Sequence, residues 1–319
     1  MTISRTSARC SAPAGIWVPL VTPYVGGVVD TDALQRLASH LIAGGVHGLA
    51  VCGTPAEAHQ LNPAEQNTVL AAVLEVASAR SPVMMGIYDD DAATVIRRAR
   101  QAENAAVAGL LMSVPSNRRP SQDDIVRHFQ DIAAATQRPI VLYNRPSWSG
   151  VAMELSTLAT LGAQPPFAAI HETGDNLQQL TDMINLSGLN VLGGDDAMLF
   201  AALCAGGHGA ICAAAHVRPD LYVQLYDLIR AQQLERARAL FWQLLPLIRM
   251  LASEPGTVAL RAVLGMCGHL REQRRRPTMP ASRLCRVKLA ATLDQLMSLP
   301  AYARVPDTPL RPALASACG

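Results

Sequence analysis

The sequence predicts an α/β protein, a (β/α)8 TIM barrel with additional C-terminal helices. Three observations carry that prediction. Short runs rich in Val, Ile and Leu alternate with longer amphipathic stretches along most of the chain, and strict alternation of this kind builds a parallel sheet. The runs number eight, and no GxGxxG follows the first, which favours a closed barrel over an open doubly wound sheet. The 319 residues suit a barrel of about 250 residues with extensions.

The strand candidates, in order, are residues 16–21, 47–52, 83–87, 109–113, 139–143, 168–171, 190–193 and 209–212. Each is too short for a helix and apolar on both faces, as a strand covered on both sides must be. Helical periodicity fills the gaps, for example at 31–43, 63–79, 92–105 and 123–136, with an eighth helix near 220–230. Start signals support these helices: Thr31 ahead of Asp32, Asn62 before Pro63, and Ser121 before Asp123 and Asp124. Beyond the barrel, 234–252, 258–266 and 281–297 read as further helices on its flank. The expected organisation is a disordered tail at 1–13, a barrel at 14–232, a helical extension at 233–299 and a Pro/Ala-rich tail at 300–319.

Composition narrows the function. Half the residues are apolar and 4% aromatic, so the core rests on Ala, Leu, Val and Ile. A net charge of +2 shows no excess for a nucleic-acid surface, and the run Arg271, Arg274, Arg275, Arg276 reads as a solvated face between helices. Seven scattered cysteines without a CxxC pair suit reduced thiols in a cytoplasmic protein. No apolar stretch reaches the roughly 18 residues of a membrane span, and the first dozen residues have no apolar signal-peptide region. Of the 27 Lys and Arg residues, Lys288 alone is lysine.

Taken together, six segments resemble the dihydrodipicolinate synthase / N-acetylneuraminate lyase family. They are GIWVPLVTPY at 15–24, CGTPAEAHQLN at 52–62, PSNRRPSQ at 115–122, VLYNRPSWSG at 141–150, HETGDN at 171–176 and GGDDAMLFAALCAGGHGAI at 193–211. The resemblance covers nearly all of the expected folded part. It implies carbon–carbon lyase chemistry through an imine between pyruvate and a lysine ending the sixth strand. At that position this chain carries His171. An imine needs a primary amine, which imidazole is not, and arginine stays protonated above pH 12. Lys288 lies in an amphipathic helix far beyond the eighth strand and reads as a surface residue.

Further site residues follow from the same resemblance. Thr54 and Tyr143 hold the positions of the proton relay, and Gly53 and Pro55 those of the pyruvate carboxylate cradle. Pro55 offers neither the hydroxyl nor the backbone N–H of the threonine expected there. Ser116 and Asn117 replace paired tyrosines. Trp148 aligns with a substrate-binding arginine, with Arg145 nearby as a substitute. Glu172 and Ile211 complete the expected pocket.

Three readings follow. The first is an enzyme without an imine, in which His171 and Tyr143 serve as acid and base while Glu172 or Arg145 orients a carboxylate. Against it stands a satisfied core histidine filling the lost lysine's volume, the preferred view of His171 because the cradle is altered too. The second is a metal site drawn from Glu57, His59, His171, Glu172, Asp195 and Asp196. Glu57, Asp195 and Asp196 are ordinary residues for the family, so no metal and no cofactor is expected. The third is a binding or assembly module. The expected partner is a small oxo- or hydroxy-acid, not nucleic acid or membrane, and the family resemblance implies a homo-oligomer, either dimer or tetramer.

Overall fold

Each predicted apolar run forms a strand in the computed structural model, which describes residues 12–115 and 119–302. The strands are β1 (Gly15–Pro19), β2 (Gly48–Val51), β3 (Val83–Ile87), β4 (Gly109–Ser113), β5 (Ile140–Asn144), β6 (Phe167–Glu172), β7 (Asn190–Gly193) and β8 (Gly209–Ile211). All neighbours are parallel, and β8 pairs back onto β1 to close the barrel. Eight helices cover it: α1 (Thr31–Ala43), α2 (Pro63–Ala77), α3 (Ala92–Ala102), α4 (Gln122–Ala133), α5 (Leu155–Gly162), α6 (Leu177–Leu186), α7 (Leu199–Cys204) and α8 (Pro219–Arg230). Three more, α9 (Leu234–Leu251), α10 (Val258–Met266) and α11 (Arg283–Met297), pack against one another on the flank.

Alternation along each strand sorts the core into two layers. Trp17, Ala50, Met84, Leu111, Val141, Ala169, Leu192 and Ile211 fill the barrel interior together with Tyr143. Their neighbours, such as Ile16, Val18, Leu49 and Ile170, face the helices. Trp17 is the one large aromatic near the bottom, and it fits because β2 begins with glycine: a Cβ on Gly48 would meet the indole at 2.3 Å. Burying such residues, at roughly 1.5–3 kcal/mol each, makes up for the shortage of aromatics.

The differences from the sequence reading are local. The N-cap of α1 is Asp30, whose carboxylate accepts from Ala33 N at 3.0 Å, and Thr31 is already helical. Asn62 and Ser121 cap α2 and α4 as expected, each in a reciprocal capping box. A two-stranded antiparallel ribbon, Tyr24–Val25 with Val28–Val29, was not foreseen; Gly26 and Gly27 make its turn with positive φ. The basic run is a solvated face only in part: Arg271 and Arg276 are exposed, whereas Arg274 and Arg275 are half-buried and paired. Arg275 pairs with Glu65, lies 4.7 Å from the Tyr24 ring centre and donates to Gly27 O, so it fastens the segment before α11 to the ribbon and α2. Among the described residues no helix is long and apolar enough to cross a membrane. The tails at 1–11 and 303–319 lie outside the described residues.

Candidate active site

Parallel register places Tyr143 of β5 directly beside His171 of β6. Both side chains point inward, and their rings stack 4.7 Å apart at 25°. His171 is only 5% exposed. Its ring is also gripped from the residue that follows β7, because a Cβ on Gly194 would lie 2.4 Å from Cε1. Burial pushes the imidazole pKa down to about 3, the Leu192 backbone opposes this, and the Arg145 charge adds to it. The ring is therefore neutral at physiological pH. It is packed but not satisfied, since Nδ1 has no hydrogen-bond partner. The satisfied core histidine expected from sequence is corrected on that point.

The loop after β2 brings Thr54 over this stack. Thr54 Oγ1 and the Tyr143 hydroxyl are 3.2 Å apart, and Arg145 Nη1 donates to the same Thr54 oxygen at 3.4 Å. Two non-glycine residues with left-handed backbone, Cys52 (φ 54°) and Glu57 (φ 52°), bracket the loop. Such conformations cost on the order of 1 kcal/mol or more and persist only where other contacts impose them. Here the contacts are visible. Glu57 Oε2 accepts from Arg261 Nη2 at 2.9 Å, Glu57 Oε1 accepts from Thr257 at 3.2 Å, and Arg261 also donates to Thr22 O at 2.9 Å. Thr22 Oγ1 in turn donates to Ala56 O at 3.0 Å. A fully buried arginine from α10 thus fixes the loop that carries Thr54.

Above the loop opens a cleft of about 560 Å³, walled by Gly53, Thr54, Tyr88, Arg98, Arg145 and Trp148 among others. Tyr143 and His171 are not part of its walls. Arg145 lies over the Trp148 ring at 5.3 Å, and Tyr88 stands between Trp148 and Tyr143, its ring 6.1 and 5.9 Å from theirs. Pro55 follows in the loop without a backbone donor. Ile211 sits deep in the barrel interior. Asn117 lies outside the described residues.

Glu172 does not reach the cleft in this way. It alternates to the opposite face of β6 from His171, is buried, and accepts from Asn144 Nδ2 and Gly174 N, each at 2.6 Å. Burial raises its pKa, against the hydrogen bonds from Asn144, Gly174 and Thr173. Its expected part in orienting a substrate carboxylate is corrected to bracing β5 against β6. The residues weighed as metal ligands are also dispersed. Glu57 is committed to Arg261 and Asp195 caps Ala197 N. Asp196 accepts from Ala214 N at 2.8 Å with its pKa raised to about 6, first by burial. Among the described residues no three His, Cys, Asp or Glu side chains form a metal-binding group.

The match with known proteins agrees with this architecture. The model of the dihydrodipicolinate synthetase family matches residues 12–296. The chain belongs to the dihydrodipicolinate synthetase family. It is 33% identical to a 4-hydroxy-tetrahydrodipicolinate synthase of Syntrophobacter fumaroxidans over 88% of this chain and 97% of that protein. To the enzyme of that name in Geobacter sulfurreducens it is 32% identical, over 88% and 98%. The crystal structure of dihydrodipicolinate synthase from Thermotoga maritima superposes with a TM-score of 0.87 at 28% identity, covering 90% of this chain and 99% of that one.

Within a dihydrodipicolinate synthetase family barrel, the site residues that no sequence motif marks are Tyr88, Arg98 and Arg261. Tyr88 follows β3, on the face where barrel loops carry function, but none of the six resembling segments includes it. Arg98 and Arg261 lie inside helices, where nothing in the local pattern marks an arginine as turned inward.

Proposed function

We propose that this family member holds a small oxo- or hydroxy-acid at the barrel mouth and forms no imine with it. The observation that carries the reading is the placement of amines. Lys288, the chain's one lysine, is exposed on α11, whereas β6 presents an imidazole packed against Tyr143. Carbinolamine and imine formation require a primary amino group next to the keto carbon, and no other side chain supplies one. The synthase name of the relatives therefore comes to this chain as a small-acid pocket rather than as a reaction.

Its own residues support binding. Arg145 brings a fixed positive charge to the cleft and Thr54 a hydroxyl, with the Tyr143 hydroxyl touching Thr54 from beneath. The retained Thr54–Tyr143 contact favours a second reading, a proton transfer such as enolisation or hydration of the acid without a covalent intermediate. In that reading His171 is a neutral ring that positions Tyr143. Family resemblance also carries a homo-oligomer into the proposal, which light scattering on the purified chain measures.

The deciding experiment is borohydride reduction in the presence of pyruvate, followed by intact mass and peptide mapping. The expected outcome is no pyruvyl increment except at the N-terminal amine. A stable adduct on Lys288 with the Tyr143 region protected would overturn the proposal. Deuterium exchange at the acid's α-carbon, followed by NMR, separates turnover from binding.

A further inference from the structure

The outer half of the cleft contains groups for which the small-acid reading has no use. Arg98, half-buried on α3, faces the same space as Arg145. Among the described residues neither guanidinium has a carboxylate within ion-pair distance; Arg145 donates to Thr54 and Arg98 to the neutral Gln66 Oε1. The Tyr88 hydroxyl is buried in this wall without a hydrogen-bond partner. It lies within the field of both arginines, and burial raises its pKa well above the ordinary phenol value, so it stays a donor. A buried donor left unpaired forfeits its solvation without return, which a bound acceptor would restore. Two carboxylates share the cleft: Asp89, exposed, accepting from Asp91 N and acting on the Arg98 charge from a distance, and Asp90, which is not without a partner.

We propose that the cleft is built for an acid with two negatively charged ends, one held by Arg145 with Thr54, the other by Arg98, with the Tyr88 hydroxyl donating to the second. This rests on the small-acid reading above and adds the substrate class to it. Charge-assisted bonds of a guanidinium to a carboxylate are about twice as strong as neutral ones, and both arginines are fixed in place by neighbours rather than free to follow any anion. The Tyr88 ring, set against Tyr143 and Trp148, gives the chain between the two ends an apolar wall.

A matched pair of probes tests it by calorimetry on the full chain: 2-oxoglutarate and 2-oxopentanoate, which differ only in the terminal carboxylate. The expected result is 2-oxoglutarate binding on the order of tenfold tighter. Arg98→Gln should bring it down to the level of 2-oxopentanoate. Tyr88→Phe, which keeps the ring contacts, should weaken 2-oxoglutarate several-fold. Equal affinity for the two acids, or an equal loss for both in Arg98→Gln, overturns the two-ended site while the small-acid reading stands. If neither acid binds, the small-acid reading fails and this inference fails with it.

Discussion

Two buried polar centres flank the loop after β2, and they are completed in opposite ways. On the side of α10, Glu57 and Arg261 form an ion pair in which both carboxylate oxygens of Glu57 are taken, although Arg261 Nε has no partner. On the barrel side, Tyr143 and His171 meet as uncharged rings, and a ring nitrogen is left without a partner. A buried ion pair persists only when each charge is compensated, so the first centre tolerates little change. The second has no charge to compensate and tolerates an imidazole in its place. The comparison teaches that the loop is held by a fully charged pair while the centre beneath it presents an imidazole and a phenol and no side-chain amine.

The strongest break of this comparison is Arg261→Met. It leaves Glu57 buried and uncompensated, and we expect a loss of about 3–5 kcal/mol in urea denaturation. The double variant E57Q/R261M should regain more than half of it; equal losses for the single and double variants would show that the pair is not what holds the loop. Next, Gly194→Ala puts a Cβ 2.4 Å from the His171 ring, which cannot shift because Tyr143 backs it. We expect a cost of about 1–3 kcal/mol, relieved when combined with His171→Ala.

A smaller effect sharpens the barrel side through pH. His171 titrates near 3 when folded and near 6.5 when unfolded, so between those values the unfolded chain binds more protons. Its contribution to stability is complete above pH 6.5 and is lost as pH falls toward 3, the loss reaching about 1.4 kcal/mol at pH 5.5. His216 and His269, each lowered to about 4 by burial first, act in the same direction. Asp196, raised to about 6, acts in the opposite one, so the comparison must be made between variants. His171→Leu should flatten the loss between pH 7 and 5 relative to the parent chain; an unchanged slope would mean the ring is hydrated. The smallest expected change is catalytic: His171→Lys alone should give little or no imine trapped by borohydride, because Pro55 still blocks the loop donors.

The barrel was readable because eight parallel strands must be apolar on both faces, and that signature is local. Asn62 and Ser121 were equally readable, since a cap is decided by residues three apart. The pairing of Tyr143 with His171 was half readable: both strand ends were identified, but that the rings stack and seal depends on Gly194, the residue after a third strand. Glu172 misled because a strand's last two residues face opposite ways, and a one-residue difference decides which meets a ligand. Arg261 lies 204 residues from Glu57, and no spacing rule spans that distance.

The stacking of Arg145 on Trp148 has an optical consequence. The chain has three tryptophans: Trp17 is 3% exposed inside the barrel, Trp242 is 70% exposed on α9, and Trp148 is 42% exposed at the cleft. An anion bound at Arg145, beside the indole, alters the surroundings of that one fluorophore and leaves the other two where they are. With Trp242→Phe removing the exposed indole of α9, occupancy of the cleft becomes visible in the unlabelled protein.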